Sequence, residues 1–466
     1  MKRLKEIFLV KNNSELILHG NIFQALFLLA MPIIITNFLQ HMYNLTDTYW
    51  LGKIGTAQQA AISMVSPVQN TVIAFGQGIT MAGSILMSQY IGANKMKSAV
   101  HMANQIFICA MIFSFACTTG LVLFTPLITS WIGAEGEIFN LGNIYLRIVM
   151  LDTPLLFIIN IFSAVNQSQG NTVFPMLLNL LGILINMVLD PLFLMVMNLG
   201  IGGVALATLL SKVPCAVVGL VYLLNKRNDI HLERRMLRPR GGMVRQILSV
   251  GLPTALGSSA MQFGFVLMSK NVYVFGSSAM AAYGIGNRIN GIITLPSVAI
   301  GSATSTIVGQ NLGAGQTKRA ERSYQIATLT GVALLFILGR FLSYRPIAST
   351  VVGILSKDSE VMPMATDFLT IMAFWCFTNN VYNCTMNLLN ASGKTKITML
   401  VEANRMWVLR FATIFFCQRL LHMGVESIWY SVVISNGISA VILFILYLSR
   451  IWEKDTLGIR RAETKA

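Results

Sequence analysis

Long uninterrupted apolar stretches, separated by short breaks rich in glycine or charge, dominate this chain. Between Lys53 and Lys95 there is no Asp, Glu, Lys, Arg or His, and the same holds between Asp152 and Asp190. Each gap is long enough to hide a helix of about 20 residues that crosses a bilayer. Runs this continuous, without an apolar residue at every second position, argue against a closed β-barrel. Cutting at the breaks predicts twelve apolar helices, at roughly 22–50, 57–85, 99–130, 143–166, 173–199, 202–225, 245–272, 279–309, 324–350, 364–390, 396–420 and 424–449.

Composition agrees with a lipid environment. Of 466 residues, 55% are hydrophobic and 11% charged, and the mean hydropathy is +0.66, far more apolar than a water-soluble domain. The net charge of +16 does not point to nucleic acid, because the basic residues sit at the ends of apolar segments and form no patch among aromatic platforms. They act as topology signals instead. With the N-terminus cytoplasmic, Lys95 and Lys97, the run from Lys226 to Arg245, Lys318, Arg319 and Arg322, Lys394 and Lys396, and the basic C-terminal tail all fall on the cytoplasmic side. The acidic connection "GAEGEIFN" falls outside, and Arg340 and Arg345 are the exceptions. The expectation is a multi-pass protein of the cell (cytoplasmic) membrane with both termini inside. No removable signal peptide is read at the N-terminus. All six cysteines lie in apolar segments without a CxxC pair, which excludes a disulfide framework or a zinc site and predicts packing as small hydrophobes.

The chain repeats itself. "SQYIGANKMKSA" (88–99) and "GQNLGAGQTKRA" (309–320) lie 221 residues apart, and the same offset relates Pro32 to Pro253, Gly55 to Gly276, and Ala60 and Ala61 to Ala281 and Ala282. A similar offset of 223 relates Gly170 to Gly393 and Asn160 to Asn383. Because each half holds six spans, both copies enter the membrane in the same direction. The predicted organisation is an N-terminal six-helix lobe (1–224), a basic cytoplasmic linker (225–245) and a C-terminal six-helix lobe with a short tail (246–466).

Polar residues inside the apolar runs mark the candidate site. On the first span Asn37, Gln40, His41, Asn44 and Asp47 recur at steps of three and four, which stacks them on one helix face. On the fifth span Asn179, Asn186 and Asp190 share a face, and Thr208 lies near the start of the sixth. The topology places Asp47, Asp190 and Thr208 in the outer half of the membrane. Asn160, Ser163 and Gln167 form a comparable stripe on the fourth span. A carboxylate at the bilayer centre costs about 2.5 to 3.5 kcal/mol on the mildest scale, so two in one half, at one depth, call for a function. They can take up protons, since like charges in low dielectric raise one pKa, or accept Na⁺ with Asn and Thr oxygens completing the shell. Asp152, five residues from Arg147, is expected to form a local ion pair or line the cavity, and Glu402, Arg405 and Arg410 a structural polar cluster on the eleventh span. For the face of Asn380, Asn383, Asn387 and Asn390 two readings stand: helix-to-helix hydrogen bonding or a cavity wall.

"AMPIII" (30–35) followed by "NLTDTYWLG" (44–52), "QGNT" (169–172), "NMVLDPLF" (186–193) and "GQNLGAGQTKRA" (309–320) give the chain, over essentially its whole length, a resemblance to the multidrug and toxic compound extrusion (MATE) transporters. The resemblance implies two six-helix bundles around a V-shaped cleft, and export of organic cations and other amphiphiles driven by entry of Na⁺ or H⁺. It assigns Asp47, Asn186, Asp190 and Thr208 to the coupling-cation site of the N-terminal lobe, and Pro32 to a kink in the first helix. Pro32, Asn37, Gln40, His41, Asn44, Asn160 and Ser163 are the candidate lining of the substrate cavity. The stretch "ALGSSAMQFGFVLM" (255–268) carries no acid, so the match is to the branch with an acidic N-terminal lobe. Ser163 stands where relatives have a second Asn, and Phe411 follows Arg410 where a proline is usual. A flippase or exporter of a lipid-linked or other endogenous metabolite in the same superfamily is the rival reading. Neither HExxH nor GxSxG occurs, and "SGKT" (392–395) lacks the leading glycine of a phosphate loop. The chain is therefore expected to be no enzyme, to use no cofactor beyond the coupling ion, to bind no nucleic acid, and to work on small amphiphilic or cationic substrates as a monomer within the bilayer.

Overall fold

The computed structural model describes residues 13–460, in which every regular element is a helix. Lipid offers no hydrogen-bond partner to a backbone, so a chain this apolar satisfies its amides within helices. In order these are α1 (Ser14–His19), α2 (Ile22–Ile54), α3 (Thr56–Gly92), α4 (Met96–Trp131), α5 (Gly136–Met150), α6 (Thr153–Ser168), α7 (Val173–Pro191), α8 (Gly200–Leu224), α9 (Gly241–Tyr273), α10 (Ser277–Gly313), α11 (Thr317–Leu342), α12 (Arg345–Leu355), α13 (Val361–Phe374), α14 (Phe377–Ala391), α15 (Thr395–Ala403), α16 (Phe411–Arg419) and α17 (Glu426–Leu448). Among the described residues ten helical segments are long and apolar enough to cross a membrane, and eleven when α13 and α14, bent by 54°, count as one span.

The remaining predicted span is the run from α15 to α16. It is helical throughout, but a π-helical segment, Asn404–Arg410, interrupts it, and it carries Glu402, Arg405 and Arg410. The predicted span 324–350 is divided. α11 stops at Leu342, and Pro346, in the first turn of α12, starts a separate short helix, as a proline with no amide to donate favours.

The repeat is visible in the backbone. Asn94 and Gly315 both adopt positive φ, 57° and 75°, as do Gly170 and Gly393, 78° and 82°. These are the two loop pairs that align at offsets of 221 and 223, and Asn is the non-glycine residue most tolerant of that conformation. The fourth and tenth spans also break at corresponding places, between α5 and α6 and between α13 and α14.

Packing divides the chain into two compact units that do not follow its linear halves. One holds Met1–Ser14 and Ile35–Ala255, the other Glu15–Ile34 and Leu256–Ala466. The cuts fall inside α2 and α9, 221 residues apart, each two residues beyond a proline, Pro32 and Pro253. In the first unit the linker is clamped to α4 by two buried amides. Asn104 donates to the His231 carbonyl (3.2 Å) and accepts from the Glu233 amide (2.9 Å). Gln105 donates to the Met236 and Arg238 carbonyls and accepts from the Arg240 amide (2.7 Å). In the second unit the segment leading into α2 is held in a comparable way, with Arg319 donating to the carbonyls of Ile17 and Gly20. Ala25, Leu26, Leu29 and Ala30 then pack with Ile300, Ile307 and Leu388 in one apolar cluster.

Two further contacts correct or complete the sequence reading. Asp152, buried at the break before α6, pairs with Lys212 of α8 (2.5 Å), and not with Arg147 as expected. The helix breaks at Leu151 and Asp152, so sequence spacing along one helix no longer governs what Asp152 meets. The asparagines of α14 act mainly as helix-to-helix bonds: Asn380 donates to the Thr328 carbonyl (3.0 Å), Asn383 to Ser297 Oγ (2.9 Å), and Asn390 accepts from Thr398 Oγ1 (2.6 Å).

Two outcomes follow for stability in detergent, read as the thermal midpoint of the purified protein. A Cβ on Gly331 would lie 2.1 Å from Asn380 Oδ1, whereas nothing stands within 4 Å of one on Gly437. Gly331→Ala is therefore expected to lose about 1–3 kcal/mol by displacing a buried amide, and Gly437→Ala to hold or gain stability, since alanine is the better helix former. Lys212→Met, which leaves the Asp152 charge without its partner, is expected to cost about 3–5 kcal/mol, and adding Asp152→Asn to restore most of it. Equal midpoints for Lys212→Met and wild type would contradict the pairing.

Candidate functional site

The fifth span delivers the site. In α7, Asn186 and Asp190 are one turn apart, so they face the same way, and both are buried, with exposures of 2% and 1%. Residues in the last turns of a leucine-rich membrane helix would ordinarily be apolar. Here the carboxyl is bonded to an amide on its own helix, and that amide is bonded to α8. In the amide orientation that satisfies both neighbours, Asn186 Nδ2 donates to Asp190 Oδ2 (2.8 Å) and Asn186 Oδ1 accepts from the Thr208 backbone amide (3.3 Å). Thr208 Oγ1 donates to the Val204 carbonyl (3.1 Å), which leaves the hydroxyl lone pairs as acceptors. Asn186, Asp190 and Thr208, singled out from sequence, thus form one connected cluster.

Carboxylate, amide carbonyl and hydroxyl are hard oxygen donors, the set that suits Na⁺ and excludes soft metals. In the observed arrangement the Asn186 amide presents nitrogen to Asp190, so offering its oxygen to a cation requires the amide to turn over. A hydrogen-bonded carboxyl of this kind also accepts a proton without rearrangement. Among the described residues no group of three His, Cys, Asp or Glu side chains is placed to hold a metal ion.

Asp47 belongs to the backbone of α2, and its side chain lies outside the described residues. The expected meeting of Asp47 with Asp190 therefore stays an expectation. Pro32 is buried within a continuous α2, on the part assigned to the second unit. Asn37, Gln40, His41 and Asn44 fall on the part assigned to the first unit, where Gln40 and Asn44 are exposed and Asn37 and His41 half-buried. On α6, Asn160 and Ser163 are half-buried. Ser163 turns its hydroxyl back to the Ile159 carbonyl (2.9 Å), and neither residue takes part in the bonds that join Asn186, Asp190 and Thr208.

Lys212 is the neighbour that pattern reading missed. It follows Thr208 by one turn on the same face of α8, and it is the lone charged residue in the predicted span 202–225. That isolation was the available signal. Through Lys212 the face that bears Thr208 is tied to Asp152 at the start of α6, so the first unit carries two buried carboxylates, one bonded to an amide and one to an ammonium.

The sequence and fold can now be set beside known proteins. The chain is 25% identical to a probable multidrug resistance protein NorM of Mannheimia succiniciproducens over 90% of its own length and 92% of that protein. It is 24% identical to a probable multidrug resistance protein YpnP of Bacillus subtilis, covering 84% and 87%. Its fold matches a solved structure described as the outward-facing conformation of a multidrug resistance MATE family transporter of the MOP superfamily, with a TM-score of 0.90 at 22% identity, covering 95% of this chain and 98% of that one. The MatE family model matches twice, over residues 32–192 and 253–416, one match in each copy of the internal repeat. The duplicated arrangement of apolar helices, with a buried acid cluster in the first copy, is that of a multi-pass membrane protein, and this chain belongs to the MatE family.

Proposed function

We propose that this protein is a secondary active exporter of amphiphilic small molecules, organic cations among them, driven by entry of Na⁺ or H⁺. The observation that supports this reading is the cluster of Asn186, Asp190 and Thr208. A buried intramembrane carboxyl is costly unless it is paired or exchanges a cation. Here it is held by the Asn186 amide, which is bonded in turn to the Thr208 backbone, an arrangement able to bind and release a small cation. Asp47 is the second carboxylate of the site in this proposal, with Asn37, Gln40, His41, Asn44, Asn160 and Ser163 lining the path of the substrate and Pro32 the point at which α2 bends. The names of the relatives, multidrug resistance proteins and multidrug export proteins, agree with small-molecule export.

Coupling of this kind is thermodynamic. The cation must bind one conformation more tightly than the other, and the substrate must respond to the same two conformations. A preference of 1.4 kcal/mol shifts the ratio of conformations tenfold at saturation, so a single carboxyl that changes its charge state in low dielectric is sufficient. The proposed setting is the cell membrane, with the basic segments and both termini on the cytoplasmic side.

Proteoliposomes loaded with ethidium and given an imposed Na⁺ gradient, or separately an imposed pH gradient, test the proposal. Wild type is expected to export the dye under one of the two gradients. Asp190→Asn and Asp47→Asn are each expected to lower the gradient-driven rate at least tenfold while elution and thermal midpoint stay near those of wild type. Gradient-driven export at the wild-type rate by both variants would refute the carboxylate site.

A further inference from the structure

The span equivalent to the fifth carries the opposite sign. At the offset of 223, α7 corresponds to the run from α15 into α16, where Asp190 matches Thr413. There the intramembrane charges are Arg405 and Arg410. In an α-helix residues five apart lie about 140° apart around the axis, which would send these two side chains to different faces. The π segment Asn404–Arg410 changes that, because hydrogen bonding at i→i+5 stacks residues five apart. Both guanidiniums reach one acceptor: Arg405 and Arg410 donate to the same Asn436 Oδ1, at 3.3 and 3.2 Å.

The remaining acceptors around them are neutral and mostly weak. Arg405 donates to Met261 Sδ (3.0 Å) and lies over the Tyr382 ring, 4.1 Å from its centre. Arg410 donates to Ser435 Oγ (3.2 Å) and Met406 Sδ (3.2 Å). Neither forms an ion pair among the described residues. The nearest acid in sequence, Glu402, lies within electrostatic reach of Arg405 without forming an ion pair with it, and its carboxyl packs against Gly257, where a Cβ would lie 2.7 Å from Oε2. Two guanidinium groups thus converge on one amide oxygen, with no carboxylate in ion-pair contact with either among the described residues. Arg410 is buried, with an exposure of 3%, whereas Arg405 and Asn436 are half-buried and within reach of a ligand.

We propose that Arg405 and Arg410, brought together by the π segment and joined through Asn436, form a recognition site for the carboxylate of an amphiphilic substrate, anionic or zwitterionic. An oxyanion accepts charge-assisted bonds from guanidinium groups, roughly twice as strong as bonds to neutral acceptors, and it would supply the direct ion pair that neither guanidinium has among the described residues. The partly exposed ring of Phe265, 5.9 Å from the Arg410 guanidinium, supplies aromatic surface for the apolar body of such a molecule. The inference rests on the reading of the chain as an exporter of amphiphiles and extends it to a substrate class that the acidic cluster of the first unit would repel.

Equilibrium binding in an uncharged detergent tests this without any ion gradient, so its failure would leave the export reading standing. The probe is 11-(dansylamino)undecanoic acid, whose fluorescence rises in apolar surroundings, compared with its methyl ester, which has the same body and no charge. Wild type is expected to bind the acid at least tenfold more tightly than the ester. Arg405→Gln is expected to bring the acid to the affinity of the ester without changing that of the ester, and Arg405→Lys to restore part of the preference. Equal affinity of wild type for acid and ester would overturn the proposal whatever the variants do, as would an undiminished preference in Arg405→Gln.

Discussion

A charge removed from water must find a partner inside the protein, and in a chain this apolar that requirement shapes every polar contact of consequence. An ion left uncompensated in a low-dielectric interior costs several kcal/mol, while the pair it forms when satisfied adds little net stability. The consequence is geometric. Asp190 is held by Asn186, and Asn186 in turn by the Thr208 amide. Asp152 is held by Lys212. Arg405 and Arg410 share Asn436. In each case the partner comes from another helix or through one, so charge and amide side chains determine which helices meet and at what height, and apolar side chains fill the space between.

The two copies of the repeat share a scaffold and differ in chemistry. Positive-φ positions, the breaks in the fourth and tenth spans, and the prolines of α2 and α9 recur at a near-constant offset, because backbone geometry is what a duplicated fold has to preserve. Side chains at the corresponding depths are free to diverge. The fifth span keeps a carboxyl with an amide one turn before it, and its counterpart carries two arginines on a π segment. Divergence of a few intramembrane residues thus gives the two copies different chemistry on one backbone scaffold.

The lead-in segments show the same economy of means. The linker before α9 is clamped by Asn104 and Gln105 in the first unit, and the segment before α2 by Arg319 in the second. Each clamp works by giving an irregular backbone the hydrogen bonds it cannot make to itself, and each sits at the start of a helix whose two ends belong to different units. Each of those helices carries its proline two residues from the point of division.

How much of this was legible beforehand depends on the range of the interaction concerned. The apolar runs, the repeat and the basic ends of the spans are written locally, because each helix must be long, apolar and internally bonded on its own account, and among the described residues that locates ten spans, or eleven with the bent pair. Asn186 and Asp190 could be paired from spacing because they share a helix, and Thr208 because the turn between two consecutive spans brings it back. Beyond that range the one-dimensional pattern is silent. The partner of Asp152 was decided by a helix break that swings it toward α8, the meeting of Arg405 with Arg410 by a π segment that α-periodicity does not anticipate, and the division of α2 and α9 between units by packing alone. Hydropathy and helical period report what a residue needs from its surroundings, and only the assembled helices determine which distant residue provides it.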